Sequence, residues 1–250
     1  MKVVSVVGPS GSGKTTTVEC IIAELRRRRY SVGSVKEIHF EEFAMDSPGT
    51  NTDRHHRAGA ELVTALGLFE TDVLYKRKLD IREVLGHYHQ DFVILEGVEH
   101  PAIPRIVTGY EIADLAERVD EAVFAISGRV TRDIEEYSGR PALDATERCR
   151  DLVDLIERTV SPPLPGFPPD CCDACGGSCG ALTGAILRGE ATREACPVVG
   201  RTRVQLRING EGIAMVPFVQ SILENAVTGV VGELDGYRPG AIIEVHILPE

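Results

Sequence analysis

Residues 1–16 read MKVVSVVGPSGSGKTT, and this stretch decides the fold of the 250-residue chain. The first seven residues are mostly β-branched and apolar, which predicts a buried strand. The run ends in a segment that matches the pattern G-x-x-x-x-G-K-T, a loop that holds nucleotide phosphates between a strand and a helix. The sequence therefore predicts a strand, a phosphate loop and a helix, in that order.

Each residue type in this loop has a mechanical reason to be there. Gly8, Gly11 and Gly13 can adopt positive φ, so backbone N–H groups can turn inward around phosphate oxygens. Lys14 can reach the β- and γ-phosphates, and the hydroxyl of Thr15, at the start of the helix, is placed to ligate Mg²⁺. The alternative is a glycine-rich turn without a ligand, and the flanking strand and helix argue against it.

Helices and strands alternate after the loop. Residues 14–29 have apolar side chains at helical spacing and residues 31–35 read as a strand, which predicts a parallel βαβ unit. Residues 91–96, DFVILE, suit a fully buried parallel strand. Further strands are predicted at 60–66, 71–76, 103–107 and 121–126, and further helices at 79–87, 110–118 and 143–158. This order predicts an α/β fold of the P-loop NTPase type, with a mostly parallel sheet flanked by helices.

Two features of this domain are candidates for chemistry beside the loop. Glu96 ends the buried strand, where a doubly wound sheet places the acid on the Mg²⁺ side of a nucleotide site. The alternative is that Glu96 only caps a strand end at the surface. Residues 36–59 form a long polar connection, and long loops beside phosphate sites are often functional. His39 lies in this connection, close to where a γ-phosphate is expected.

Five prolines within residues 161–169 interrupt the chain and predict a stiff, extended linker. The sequence thus divides into a nucleotide-binding domain at 1–160, a proline-rich linker at 161–170, a cysteine segment at 171–198 and a small α+β domain at 199–250. The last is predicted as a ββαβ unit, with a hairpin turn at Asn209-Gly210. Its strands are predicted at 203–208, 213–216 and 241–247, and its helix at 218–227.

The cysteine segment has the spacing Cys172-x2-Cys175-x3-Cys179-x16-Cys196, followed by a proline. Three close thiolates and a distant fourth before proline are typical of iron–sulfur ligation, so these four residues are candidate ligands of a 4Fe-4S cluster. Zinc is an alternative, although structural zinc sites more often combine two close pairs, and free thiols are another. Cys171 is either a spare ligand or a neighbouring thiol. The segment also resembles the four-cysteine iron–sulfur module of corrinoid-protein and electron-transfer subunits.

Charge and composition limit the partners of the chain. The formal net charge of -11 disfavours broad electrostatic binding to nucleic acid or to an anionic membrane. No apolar run reaches the length needed to span a bilayer, and the N-terminal run leads into the phosphate loop rather than a cleavage site. We therefore expect a cytoplasmic protein that binds neither nucleic acid nor membrane.

The N-terminal 160 residues resemble the molybdopterin-guanine dinucleotide biosynthesis protein B family. The resemblance rests on GPSGSGKTT, on Lys36, on the segment from Asp46 through Asn51-Thr52 to Ala58-Gly59-Ala60, and on DFVILEG. It implies a P-loop fold that binds GTP and Mg²⁺, a homodimer, and an accessory role in attaching a nucleotide to molybdopterin. A molybdopterin nucleotidyltransferase, or a molybdenum or tungsten enzyme, is the implied partner.

The resemblance also implies roles for individual residues. Lys14, Asp46 and Glu96 are the candidate catalytic residues, and Thr15 and Glu96 the candidate Mg²⁺ ligands. The phosphates of the nucleotide would be held by residues of the loop and the start of the helix, namely Gly8, Ser10, Gly11, Ser12, Gly13, Lys14, Thr15 and Thr16.

Three functions are compatible with these patterns. The leading hypothesis is a GTP-binding, slowly hydrolysing accessory protein of molybdenum or tungsten cofactor biosynthesis. The others are a nucleotide-gated iron–sulfur redox or scaffold protein and a P-loop kinase of small molecules. An N/T-K-x-D guanine motif is missing from the sequence, so GTP rather than ATP follows from the resemblance alone.

Overall fold

The computed structural model describes residues 1–40, 43–166, 177–200, 204–213, 215–238 and 241–247. The chain divides into two units. The first unit contains Met1–Glu99, Arg105–Val119 and Val123–Pro162, and the second contains His100–Pro104, Asp120–Ala122 and Pro163–Glu250. The last division along the chain falls within the proline-rich segment.

The strands of the described residues are, in chain order, β1 (Lys2–Val7), β2 (Val32–Lys36), β3 (Leu62–Leu66), β4 (Thr71–Tyr75), β5 (Phe92–Glu96), β6 (Arg105–Thr108), β7 (Val123–Ser127), β8 (Glu136–Tyr137), β9 (Arg140–Pro141), β10 (Leu206–Ile208) and β11 (Glu211–Ile213). The α-helices are α1 (Lys14–Arg27), α2 (Asn51–Arg57), α3 (Ile81–Gly86), α4 (Ile112–Ala116), α5 (Cys149–Thr159), α6 (Cys179–Leu187), α7 (Pro197–Gly200) and α8 (Pro217–Val231).

A five-stranded parallel sheet forms the centre of the first unit, in the order β2-β5-β1-β6-β7. Strands β1, β5, β6 and β7 are buried along their whole length, apart from partly exposed Lys2. Fully buried parallel strands need helices on both faces, which explains their continuous apolar sequences. The predicted α/β fold with a mostly parallel sheet is confirmed, and the fold resembles a solved relative described below.

Strand register places the ends of three strands together. Val6 of β1 lies opposite Glu96 of β5, and Lys36 of β2 lies opposite Glu96 on the other side. Because the strands are parallel, their carboxyl ends meet at one edge of the sheet. That edge is also where β1 leads into the phosphate loop.

Three elements of the first unit differ from the sequence-based expectation. The polar connection at 36–59 contains the helix α2, which Thr50 caps by accepting a hydrogen bond from the N–H of Asp53. Strands β3 and β4 form a separate antiparallel hairpin outside the main sheet. The helix predicted at 143–158 begins only at Cys149, because Asp144 accepts hydrogen bonds from Thr146 and forms a turn instead.

The second unit contains a hairpin and three helices among its described residues. The hairpin β10–β11 turns at Asn209 and Gly210, both with positive φ, as the sequence predicted. The returning strand is Glu211–Ile213 rather than 213–216, because a two-residue turn sets the register. Residues 241–247 have no regular structure, so the predicted final strand is wrong. Ile242 and Ile247 are about nine-tenths exposed there, and a strand needs a neighbour to complete its hydrogen bonds.

Helix α6 of the second unit packs through its apolar side chains against Ala102, Leu164 and Val198. Cys179 and Cys196 belong to the same apolar cluster, although they are far apart in sequence. Among the helices of the described residues, none is long and apolar enough to cross a membrane.

Candidate functional site

The loop between β1 and α1 has the conformation that its glycines predict. Gly8, Gly11 and Gly13 have φ values of 150°, 75° and 109°, a region that side chains with a Cβ rarely adopt. A Cβ on Gly8 would lie 2.2 Å from the carbonyl oxygen of Thr108, and one on Gly11 would lie 2.2 Å from the hydroxyl of Tyr110. Gly8 and Gly11 are therefore needed for two reasons: their backbone has positive φ, and neighbouring atoms leave no room for a Cβ.

Hydrogen bonds hold the outer side of the loop against the end of β6. The hydroxyls of Ser12 and Thr108 share a hydrogen bond of 2.6 Å, and Ser12 also donates to the carbonyl of Pro9. The hydroxyl of Tyr110 donates to the carbonyl of Ser10 at 2.9 Å. The side chain of Ser12 is fully buried and its N–H donates to the carbonyl of Pro9, so Ser12 supports the loop. Its predicted phosphate contact stays a prediction.

Lys14 folds back over the loop that precedes it. Its Nζ donates to the carbonyls of Gly8 and Pro9, at 2.8 and 2.7 Å. Burial lowers the pKa of Lys14, and the nearby carboxylate of Glu96 opposes that shift. The ammonium is thus held by two neutral carbonyls at the mouth of the loop, where it can approach an anion.

Glu96 connects the ends of two strands to the start of α1. The hydroxyl of Thr15 donates to Oε1 of Glu96 at 2.8 Å, and Lys36 forms an ion pair with the same oxygen. Burial raises the pKa of Glu96, but the hydrogen bonds from Lys36 and Thr15 outweigh burial and leave that pKa below its ordinary value. Glu96 is therefore ionised at neutral pH.

The pair of oxygens from Thr15 and Glu96 fits a Mg²⁺ ion. Magnesium binds hard oxygen ligands at about 2.0–2.1 Å in an octahedron, so two adjacent ligands lie about 2.9 Å apart. The observed separation is 2.8 Å. The donor chemistry and the spacing both suit two adjacent positions on such an ion.

A cavity of about 760 Å³ opens beside the loop, and we call it the phosphate cavity. Of the predicted residues, those that line it are Gly8, Ser10, Gly11, Gly13, Lys14, Thr15, Thr16 and Glu96. It is also lined by Lys36, His39 and Arg118. Sequence reasoning missed Arg118, because it follows a short helix and belongs to no local motif.

Asp46 is not among the residues that line the phosphate cavity. Its Oδ1 accepts hydrogen bonds from the hydroxyl of Thr50 at 2.6 Å and from the N–H of Ser47 at 2.9 Å. Hydrogen bonds from Thr50 and Thr52 lower the pKa of Asp46. In this structure Asp46 orders the segment before α2, and a catalytic role for it stays a prediction.

Two of the four predicted cluster ligands, Cys172 and Cys175, lie outside the described residues, as does Cys171. Cys179 begins α6, and Cys196 is buried. Among the residues that the structure does describe, no group of three or more His, Cys, Asp and Glu is arranged to hold a metal ion.

Comparison with known proteins identifies relatives of the chain. A family described as molybdopterin guanine dinucleotide synthesis protein B matches residues 3–127. A protein of Methanocaldococcus jannaschii, named as a candidate molybdopterin-guanine dinucleotide biosynthesis adapter protein, is 27% identical and aligns over 99% of this chain and 97% of its own length. The adapter protein of that name from Haemophilus influenzae is 28% identical over 61% of this chain and 85% of its own.

A solved structure resembles part of the chain. The crystal structure of Bacillus subtilis MobB superimposes with a TM-score of 0.53 at 26% identity. The match covers 64% of this chain and 99% of the Bacillus protein. The Bacillus protein thus corresponds to part of this chain, whereas the archaeal relative also aligns with the remainder.

Proposed function

The chain belongs to the molybdopterin guanine dinucleotide synthesis protein B family, and on that premise we propose that it is a GTP-binding adapter protein in the biosynthesis of molybdopterin guanine dinucleotide. In this proposal the chain binds GTP with Mg²⁺ and hydrolyses it slowly. Its partner is a molybdopterin nucleotidyltransferase or an enzyme that receives the molybdenum or tungsten cofactor. The names of the relatives support the adapter role.

One observation carries the nucleotide proposal. The hydroxyl of Thr15 and the carboxylate of Glu96 lie 2.8 Å apart, at the end of a loop whose three glycines have positive φ. A nucleoside triphosphate with its Mg²⁺ needs inward-facing N–H groups, a lysine and two hard oxygen ligands. The loop glycines, Lys14, Thr15 and Glu96 line one cavity at this edge of the sheet, which supports the proposal.

The residues of the site suggest how hydrolysis is assisted. Backbone N–H groups of the loop and the ammonium of Lys14 stabilise negative charge on the β- and γ-phosphates as the terminal bond breaks. Thr15 and Glu96 would hold Mg²⁺, which neutralises phosphate charge when bound. Lys36 pairs with Glu96 and keeps its carboxylate oriented and ionised.

Glu96→Gln tests the proposed metal site. We expect the Mg²⁺ concentration needed for half-maximal GTP hydrolysis to rise, and the rate at saturating GTP to fall by about tenfold or more, or about 1.4 kcal/mol of the barrier. The reason is that a neutral amide is a weaker Mg²⁺ ligand than a carboxylate. Phosphate release measured across a Mg²⁺ titration gives both quantities.

The matched control for this change is Glu70→Gln, which removes the same charge from an exposed position outside the phosphate cavity. It should leave both quantities unchanged. An unaltered Mg²⁺ dependence in Glu96→Gln would remove Glu96 from the metal site. If the wild-type protein bound ATP more tightly than GTP in calorimetry, the GTP assignment itself would be wrong.

We further propose that Cys172, Cys175, Cys179 and Cys196 hold a 4Fe-4S cluster. Two of these thiols, Cys179 and Cys196, belong to one apolar cluster of the second unit despite the distance between them in sequence. An apolar surrounding and several thiolates are what iron–sulfur clusters require. The spacing of all four residues supports the same assignment, with zinc as the competing metal.

Protein purified without oxygen is expected to absorb near 400 nm and to contain about four iron and four sulfide ions per chain. Cys175→Ser should lose most of the iron while GTP affinity stays the same, because the phosphate loop does not include this residue. Cys20→Ser, which changes a cysteine of α1, should keep the iron. Zinc in place of iron, or full iron content in Cys175→Ser, would contradict the cluster.

A homodimer, implied by the family resemblance, stays a prediction that light scattering can test. The hairpin β3–β4 supports it, because Leu66, Leu68 and Phe69 at its tip are more than four-fifths exposed. A solution mass equal to one chain would exclude the dimer.

A further inference from the structure

A second cavity, of about 240 Å³, borders the same loop, and we call it the side cavity. It shares Gly11, Gly13 and Thr16 with the phosphate cavity, but neither Lys14 nor Glu96 lines it. Its other walls are Thr17 of α1, the segment after β7 and the turn at residues 144–146. Cavities that hold a whole drug-sized ligand measure about 300–1,000 Å³, so this one suits a part of a ligand.

The orientation of a triphosphate bound in the phosphate loop indicates which part of the nucleotide would occupy the side cavity. In a phosphate loop the lysine reaches the β- and γ-phosphates, whereas the loop N–H groups hold the α- and β-phosphates. Lys14, Thr15 and Glu96 therefore mark the γ-end of the nucleotide in the phosphate cavity. The nucleoside, which is attached to the α-phosphate, has to leave the loop on a side without these residues, and the side cavity lies on such a side.

A fixed carboxylate stands in the wall of the side cavity. Oδ1 of Asp144 accepts hydrogen bonds from the N–H of Thr146 at 2.8 Å and from its hydroxyl at 2.6 Å. The hydrogen bond from the Thr146 hydroxyl lowers the pKa of Asp144, although burial opposes the shift. A carboxylate has about four acceptor positions, so Asp144 can accept further hydrogen bonds from a ligand.

Two arginines, Arg129 and Arg132, lie in the same wall, and the charge of Arg132 also lowers the pKa of Asp144. The guanidinium of Arg129 lies 5.2 Å from the centre of the Tyr110 ring, over its face. Tyr110 in turn donates to the carbonyl of Ser10 in the phosphate loop. A planar guanidinium held in this way offers a surface on which a nucleobase can stack.

We propose that the side cavity holds the guanine base of the bound nucleotide and that Asp144 selects guanine. Guanine presents two adjacent donors, N1–H and the 2-amino group, and a carboxylate accepts both. Adenine presents an unprotonated ring nitrogen at the corresponding position, which repels a carboxylate. The proposal rests on the proposed GTP binding, and it explains guanine selection without the N/T-K-x-D motif that the sequence lacks.

The competing explanation is that Asp144 only stabilises the turn before α5. Asparagine serves this purpose about as well as aspartate, since both accept hydrogen bonds from backbone N–H groups. The substitution Asp144→Asn therefore keeps the turn and changes the base preference. When its oxygen keeps the hydrogen bonds from Thr146, the amide presents its NH2 group to the ligand. This donor suits xanthine, whose 2-carbonyl oxygen replaces the amino group of guanine.

For Asp144→Asn, calorimetry is expected to show at least about a tenfold loss of affinity for GTP and at least about a tenfold gain for xanthosine triphosphate. The control Asp133→Asn removes a charge from an exposed position that does not line the side cavity, and it should bind both nucleotides like the wild type. An unchanged preference for GTP in Asp144→Asn would overturn the proposal.

A second measurement needs no substitution and remains decisive if Asp144→Asn does not fold. Inosine triphosphate lacks only the 2-amino group, so the wild-type protein should bind it at least about tenfold more weakly than GTP. Equal affinities would overturn the role of Asp144 while leaving GTP binding intact. A wild-type protein that binds none of these nucleotides would instead contradict the proposed function.

Discussion

Lys14→Ala is expected to lower the affinity for GTP by at least about a hundredfold. The ammonium of Lys14 can make charge-assisted hydrogen bonds to two phosphates, and each such bond contributes about 1.5–3 kcal/mol. Two of them at the lower bound amount to about 3 kcal/mol, which is more than a hundredfold in the dissociation constant. Calorimetric titration of GTP with excess Mg²⁺ measures the loss.

The fold should survive this change. Lys14 contacts its own loop only through two carbonyls, Gly8 and Pro9, and its neighbours in the sheet are unaffected. The thermal midpoint of unfolding without nucleotide should therefore change little. Lys76→Ala, at a lysine that does not line the phosphate cavity, is the matched control and should bind GTP normally. Retained affinity in Lys14→Ala would mean that the loop has a structural role.

The phosphate loop and Glu96 could be predicted from sequence because their signals are local. The loop needs only its own glycines, lysine and threonine in order, and β5 is a continuous apolar run that ends in the carboxylate. The hydrogen bond between Thr15 and Glu96 then follows once β1 and β5 are neighbours. Local pattern and sheet topology together therefore account for the contact between Thr15 and Glu96, whose role as Mg²⁺ ligands stays a prediction.

Residues that reach the site through long-range packing could not be found in this way. Arg118 lines the phosphate cavity from the end of a helix far along the chain, and Asp144 lines the side cavity from a turn that the helical pattern concealed. Residues 143–158 do have apolar side chains at helical spacing. The helix nevertheless begins later than this spacing predicts, because the side chain of Asp144 accepts a hydrogen bond from the N–H of Thr146 and stabilises a turn there. The strand predicted at 241–247 was wrong, because an apolar pattern in the sequence does not show whether a second strand is available to pair with it.

The relatives differ in how much of the chain they cover. Bacillus subtilis MobB is covered almost completely by 64% of this chain, whereas the archaeal relative aligns with 99% of it. The part that matches the family, residues 3–127, contains the phosphate loop and Glu96. The four cysteines of the proposed cluster follow Pro163, where the second unit resumes. The residues of the proposed nucleotide site and of the proposed cluster thus belong to different segments of the chain, and we expect the Cys175→Ser and Lys14→Ala variants each to affect one site alone.

Gly128→Ala is expected to destabilise the protein by about 2–5 kcal/mol and to weaken GTP binding. Gly128 follows β7 with φ of 80° and ψ of -160°, a backbone region that is essentially restricted to glycine. A Cβ there would lie 2.3 Å from the carbonyl oxygen of Ser12 in the phosphate loop. The estimate combines about 1–3 kcal/mol for this backbone with about 1–3 kcal/mol for the steric overlap, less a small gain from a stiffer unfolded chain. Urea unfolding and GTP titration measure the two effects.

Gly139→Ala is the control for a positive φ without a close contact. Gly139 has φ of 75°, and a Cβ there meets no atom within 4 Å. Its substitution should cost about 1–2 kcal/mol and leave GTP affinity unchanged, because only the backbone conformation opposes it. A larger loss of stability in Gly128→Ala, together with weaker GTP binding, is the result expected if the contact between the end of β7 and the phosphate loop constrains the loop. Equal losses in the two variants would show that this contact does not constrain the loop.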